Sequence, residues 1–201
     1  MVTAARAPGA DPAGFLVWRP FMARAVVSAI FGLVTIFWRE PTTSVLAIAG
    51  GSYLLLWGAG YLWTHRTLGR NTRITPLVIV GGGLLLGAGL ACLVVVDART
   101  FAFAGSAALA VAGVVELVRG LAERSRPAAR DLVLVGVIGL VTGAILPFVE
   151  QLGPQALLGV SGGGALLTAV VLGIAALSYR HDSALSASSL QGTQDGPDPV
   201  N

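Results

Sequence analysis

Long apolar blocks alternate with short polar links along nearly the whole chain. A bilayer's hydrocarbon core is about 30 Å thick, and a helix of about 20 apolar residues crosses it. Six blocks reach that length: residues 20–38, 43–64, 74–96, 100–121, 131–149 and 155–179. Each is expected to be a helix, because an open sheet in lipid leaves backbone N–H and C=O groups without partners. The links alternate in kind. Residues 39–42, 97–99 and 150–154 are tight turns, whereas 65–73 and 122–130 are longer and rich in Arg. The pattern therefore predicts an all-α membrane protein of six transmembrane helices. They are expected as three repeated antiparallel hairpins over 20–64, 74–121 and 131–179. Residues 1–19 form an N-terminal segment, 20–180 the membrane domain, and 181–201 a polar tail rich in Ser, Gly and Asp that reads as disordered. Residues 1–14 lack a continuous apolar core, so no cleavable signal is expected and the first block is read as retained. Phe15, Trp18 and Phe21, beside Arg19 and Arg24, read as an interfacial lead-in at headgroup level.

Glycine supports the repeat. Gly32 recurs as Gly87 after 55 positions and as Gly139 after a further 52. Gly50 recurs as Gly105 after 55 and as Gly162 after 57, and Gly58 recurs as Gly113 after 55. Lipid tails are as apolar as Leu, so burial alone does not hold membrane helices together; small residues do so by letting backbones approach. Gly83/Gly87, Gly139/Gly143 and Gly159/Gly163 have small-xxx-small spacing, and Gly51 and Gly162 lie in further Gly runs. These thirteen glycines are read as helix-packing positions. The triplets at 81–83 and 162–164 lack the Lys-Ser/Thr of a phosphate-binding loop. Helix breaks at the triplets, as in some transporters, are the lesser reading.

Composition agrees with the pattern. Of 201 residues, 55% are hydrophobic and 11% charged, with a mean hydropathy of +0.80. A soluble domain carries about 25% charged residues. All 13 basic residues are Arg. Their placement argues for topology determinants and against nucleic-acid binding. Arg6, Arg19, Arg24, Arg66, Arg70, Arg73, Arg119, Arg124, Arg126, Arg130 and Arg180 fall on one side, and only Arg39 and Arg99 on the other. The positive-inside rule puts both termini in the cytoplasm and the three tight turns outside. Cys92, the single cysteine, has no disulfide partner and reads as a small buried hydrophobe.

Candidate chemistry is sparse. An ionisable group in a membrane span is a functional candidate by default. Glu116 is the clear case, about one turn from the Arg-rich end of the fourth span. Arg119 lies three residues on, so the two share a face and are expected to pair. They read either as an interfacial ion pair or as a polar gate or proton-binding site. The outer turns each carry one acid: Glu40, Asp97 and Glu150. Carboxylates titrate near pH 4, so these three read either as an acid-responsive outer surface or as ordinary turn residues. The hydroxyls of Ser28, Thr35, Ser52, Ser106, Thr142, Ser161 and Thr168 can bond back to the preceding helical turn, so most need no functional explanation. His65 and His181 are expected to be solvated at the cytoplasmic ends. No nucleophile with a base and no metal-ligand set is visible, so no catalytic residue, cofactor or metal is expected.

Trp18-Arg19, the run RAVVSAIFGLVTIFWREP from Arg24 to Pro41, Gly50-Gly51, Gly58 with the adjoining GAGYLW, and Gly113-Val114-Val115-Glu116-Leu117 together form a pattern. It resembles the HdeD family of bacterial acid-resistance membrane proteins over roughly residues 18–180. Tyr61 and Gly173 stand where the second copy has Glu116, which departs from the family's ending; no Pro matches Pro41 in the second hairpin, and Pro147 is only an approximate match in the third. The resemblance implies six helices in the bacterial cytoplasmic membrane and a link to acid stress, and it carries over no catalytic residue. The expected function is a non-enzymatic membrane protein of envelope or acid-stress tolerance. It would act by helix packing and by contacts with lipid, a membrane-protein partner or a second copy. The alternative is a small channel or carrier for a neutral or apolar solute. A water-filled path would favour the alternative; a tightly packed interior with exposed Gly faces would favour the first.

Overall fold

The computed structural model describes residues 14–68, 74–124 and 128–194, with side chains over 18–68, 74–124 and 128–183. Arg6, Arg70, Arg73 and Arg126 of the charge count lie outside the described residues. The described residues form six successive helical segments. We label them α1 (Gly14–Phe37), α2 (Thr43–Thr67), α3 (Thr75–Val95), α4 (Ala98–Ala122), α5 (Ala129–Ile145, continued as a 3-10 helix over Leu146–Leu152) and α6 (Pro154–Gln194). All six are long and apolar enough to cross a membrane. Large apolar side chains such as Phe37, Val94, Leu134, Phe148 and Ile174 point outward, away from the rest of the chain. A soluble protein would hide such a surface; in a bilayer it is the lipid face. The helix bounds extend the predicted ones by a few residues at most ends. At the start, α1 takes in Phe15 and Trp18, and Phe21 is buried within the bundle instead of sitting at headgroup level. At the end, α6 runs past Tyr179 to Gln194, so the expected disordered tail begins as helix. Ala184, Leu185, Ala187 and Leu190 are good helix formers. Residues 195–201 lie outside the described residues.

The three tight turns are where the sequence puts them, each with a local cause. The Thr42 hydroxyl accepts from Val45 N and caps α2. Val96 ends α3 in the left-handed conformation at φ 49°, and Asp97 follows as the cap of α4, accepting from Thr100 N. Gly153, at φ 87°, separates the 3-10 segment from α6. The most extensive packing, however, does not follow the expected hairpins. It joins α1 to α6, α2 to α3 and α4 to α5, with looser contact between α1 and α2, α3 and α4, and α5 and α6. The helices thus close into a ring in which tight and loose neighbours alternate. Glycine explains the alternation. Gly51 meets Gly89 between α2 and α3, and Gly113 meets Gly136 between α4 and α5, each leaving no room for a Cβ. Thr35 packs onto Gly162 between α1 and α6.

Of the glycines predicted to pack, Gly32, Gly50, Gly51, Gly58, Gly105, Gly113, Gly139, Gly143 and Gly162 do so. Gly83, Gly87, Gly159 and Gly163 do not: nothing approaches within 4 Å of where their Cβ atoms would be. The helical turn places Gly81, Gly82, Leu85 and Gly89 on the inner face of α3, which turns Gly83 and Gly87 outward. Both Gly triplets lie in unbroken helix.

One irregularity connects three features. Pro147 has no N–H, so the Gly143 carbonyl four residues earlier loses its helical donor. In lipid that carbonyl has no water to turn to. The Ser106 hydroxyl of α4 donates to it at 2.6 Å. Ser106 directly follows a π-helical turn at Phe101–Gly105, and the Phe101 ring lies over Gly50 of α2. Thr35 and Ser161 do bond back as expected, to Gly32 O and Leu157 O at 2.7 Å each. Ser106 spends its donor between helices.

Candidate functional site

The polar centre of the bundle gathers around Arg24. It lies six residues into the membrane-crossing part of α1, about 9 Å from Trp18 at 1.5 Å per residue. Arg24 was expected among the solvated arginines at the membrane edge. It is instead 1% exposed. Its Nη2 lies 2.7 Å from Glu116 Oε1 of α4, and Glu116 is equally buried. Glu116 therefore pairs with Arg24 and not with Arg119, as the i, i+3 spacing had predicted. Arg119 is also buried, and the carboxylate of Glu123, just past the end of α4, acts on it. Glu116, Tyr61 and Arg24 act on it as well.

Helix α2 supplies the wall of this centre. Tyr53, Trp57 and Tyr61 recur every four residues, so they form one stripe. The Arg24 guanidinium lies over the Trp57 ring at 4.6 Å and near the Tyr61 ring at 5.7 Å. Trp57 stacks with Tyr61 at 6.1 Å, and Tyr53 stacks with Phe31 of α1 at 4.2 Å. A desolvated guanidinium over an indole is stabilised by about 2 kcal/mol, so the aromatic stripe holds part of the charge that Glu116 does not. Several polar atoms in the centre have no hydrogen-bond partner among the described residues: Arg24 Nε and Nη1, Trp57 Nε1, Tyr61 OH and Glu116 Oε2. Four of these five atoms are donors. The repeat offset relates Tyr61 to Glu116, so equivalent positions of two copies meet at Arg24.

The other predicted residues are distributed around this centre. His65 is buried, not solvated, and its Nε2 lies 3.2 Å from Thr75 Oγ1. The reason is that α2 continues to Thr67 and keeps His65 on the buried stripe four residues after Tyr61. His181 is exposed. Cys92 is buried. Glu40 is exposed in the first turn, Asp97 caps α4 in the second, and Glu150 is half-buried in the third. Asp97 thus has a structural task in the turn itself. Deeper in the bundle, Thr142, Ser161 and Thr168, with Tyr53 and Trp57, line a cavity of about 10 Å³, room for about one water. Among the described residues no three His, Cys, Asp or Glu side chains gather as a metal site.

The stretch that contains Arg24, the aromatic stripe and α3 has a known counterpart. Residues 23–94 match a family model described as a short repeat of unknown function (DUF308). This is the family domain of HdeD-like membrane proteins. No curated protein and no solved structure matches the chain. The matched stretch includes Arg24, Trp57 and Tyr61 but stops short of Glu116. The sequence signal for Arg24 is its place inside the first apolar block, four residues after the block's start at Pro20. The aromatic i, i+4, i+8 series in the second block marks the face that receives it.

Proposed function

We propose that this chain is a non-enzymatic membrane protein of envelope or acid-stress tolerance, seated in the bacterial cytoplasmic membrane with both termini inside. It works by helix packing and by contacts with lipid, a membrane-protein partner or a second copy. The observation that carries this reading is the division of the bundle into a closed interior and an apolar exterior. Among the described residues the cavity deeper in the bundle, beside Tyr53 and Trp57, has room for about one water, and the Arg24–Glu116 pair is covered by Trp57 and Tyr61. A conduit needs a hydrated path, and a proton-coupled carrier needs a titratable group that alternates between two sides. Meanwhile Gly83/Gly87 on α3 and Gly159/Gly163 on α6 present small faces outward. The acid-stress role comes from the resemblance to HdeD-like proteins and the match to their repeat. The orientation comes from the Arg distribution.

The test is a gene deletion complemented with wild-type chain and scored for survival in acid. It is paired with solute flux in proteoliposomes containing the purified protein. Lost survival restored by the wild-type chain, with flux no greater than in empty vesicles, is expected. Flux above the empty-vesicle rate would replace this reading with the channel or carrier. Unchanged survival would remove the stress role. Single cysteines placed at Glu40, Asp97 or Glu150 in a Cys92→Ala background should label from outside the cell.

A further inference from the structure

The ends of α4 and α5 at the Arg-rich side of the bundle enclose a groove of about 520 Å³. At its floor the two helices approach closely. A Cβ on Gly120 would lie 2.6 Å from the Ala129 carbonyl oxygen, so the backbones come into contact there. Leu121, Val133 and Leu134 line the wall facing the membrane, and Leu121 and Leu134 are about half exposed. Arg124 and Arg130 complete the lining, both exposed.

The charge of this groove follows from where the neighbouring acids turn. Glu123 precedes Arg124, but it is buried and its charge acts on Arg119. Asp131 follows Arg130, but it accepts the hydroxyl of Tyr179 on α6. Both acids within one residue of the groove arginines thus have partners elsewhere in the bundle, Glu123 buried and Asp131 half-buried. Neither Arg124 nor Arg130 has a carboxylate partner among the described residues. Two uncompensated guanidiniums thus stand beside a membrane-facing apolar wall. Guanidinium forks match phosphate oxygens in pairs, and basic pockets between membrane helices on the cytoplasmic side suit anionic lipid headgroups.

We propose that the groove between the ends of α4 and α5 binds an anionic phospholipid. Its phosphate sits between Arg124 and Arg130, and an acyl chain lies along Leu121, Val133 and Leu134. A phosphate without a lipid tail would use the arginines but leave the apolar wall uncovered; a zwitterionic lipid would cover the wall but bring its own cation to the arginines. This gives an address to the lipid contact in the proposed function and rests on the membrane reading, though not on the acid-stress role.

The experiment uses the full chain in nanodiscs of phosphatidylcholine containing a minor share of phosphatidylglycerol. Lipid retained after extraction into detergent is read by native mass spectrometry. Wild-type protein should retain phosphatidylglycerol at least tenfold over its share in the disc. The Arg124→Gln/Arg130→Gln variant should lose that enrichment, while Arg39→Gln/Arg99→Gln, at the opposite end, should keep it. Both Gln pairs replace exposed side chains, and retention times on size exclusion check that each remains folded. Should the first pair not fold, the single variants Arg124→Gln and Arg130→Gln are read in its place, each expected to lose part of the enrichment. Enrichment that persists in excess inorganic phosphate supports the lipid site. Equal retention of the two lipids, equal enrichment in both Gln pairs, or displacement by inorganic phosphate alone would overturn it. Acid survival of the Gln variants is scored separately, so a failed stress role and a failed lipid site give different results.

Discussion

Replacing Glu116 with Leu should destabilise the bundle far more than the loss of one surface charge. The variant leaves the Arg24 guanidinium 1% exposed with no carboxylate at 2.7 Å. At an effective dielectric of 20, two unit charges about 4 Å apart attract by about 4 kcal/mol. Removing one partner of a buried pair costs about 3–5 kcal/mol. Trp57 and Tyr61 still face the guanidinium, which puts the expected loss near the lower end, about 3 kcal/mol, or roughly 140-fold in the unfolding equilibrium. Arg24→Met should cost less, about 1–2 kcal/mol, because Arg119 remains beside Glu116 to answer its charge. The double variant Arg24→Met/Glu116→Leu should recover to within about 1 kcal/mol of wild type, since an apolar pair of similar size replaces a desolvated ionic one. The assay is reversible unfolding in mixed micelles titrated with a denaturing detergent, followed by tryptophan fluorescence and by circular dichroism. A Glu116→Leu loss below about 1 kcal/mol, or a double-variant loss equal to the sum of the single ones, would refute the assigned pairing.

The same unfolding assay reads the remaining substitutions. Gly113→Ala should cost about 1–3 kcal/mol by overpacking, because its Cβ would stand 2.6 Å from Leu140 N and 2.7 Å from Gly136 O. Gly83→Ala and Gly159→Ala, facing open space, should stay within about 0.5 kcal/mol. Ser106→Ala removes the donor to Gly143 O and should cost about 1–2 kcal/mol; adding Pro147→Ala, which restores a helical N–H to that carbonyl, should return most of the loss. Val96→Gly should stabilise by about 1 kcal/mol, because a β-branched residue there holds φ at 49°; no gain would mean that the turn relaxes around Val96.

How far each level was legible depends on the range of the interaction involved. Span number and turn positions rest on properties of contiguous residues, and the six apolar blocks and the three short polar links between them were readable. The pairing of Glu116 was not. Sequence spacing offered Arg119 on the same helix, whereas Arg24 lies 92 positions earlier and meets Glu116 only through the closure of the ring. The glycines divide in the same way. Gly83/Gly87 and Gly139/Gly143 have identical spacing, yet the first pair faces outward and the second packs on α4. Spacing along a helix says that two residues share a face; it does not say which neighbour that face meets.

The sequence by itself therefore determined the class of the protein: a chain too apolar for water, with length in each block to cross a bilayer and Arg concentrated at one set of ends. Backbone hydrogen bonding in lipid leaves helices as the outcome, so those residues settle their own conformation locally. The tertiary structure decided which helices touch most closely, which glycines are contacts and which charges are inside. Those outcomes depend on distances between residues far apart in the chain. They place Arg24 within the bundle, give Glu116 its partner, bury Glu123, turn Asp131 to Tyr179, and leave Arg124 and Arg130 facing the membrane edge.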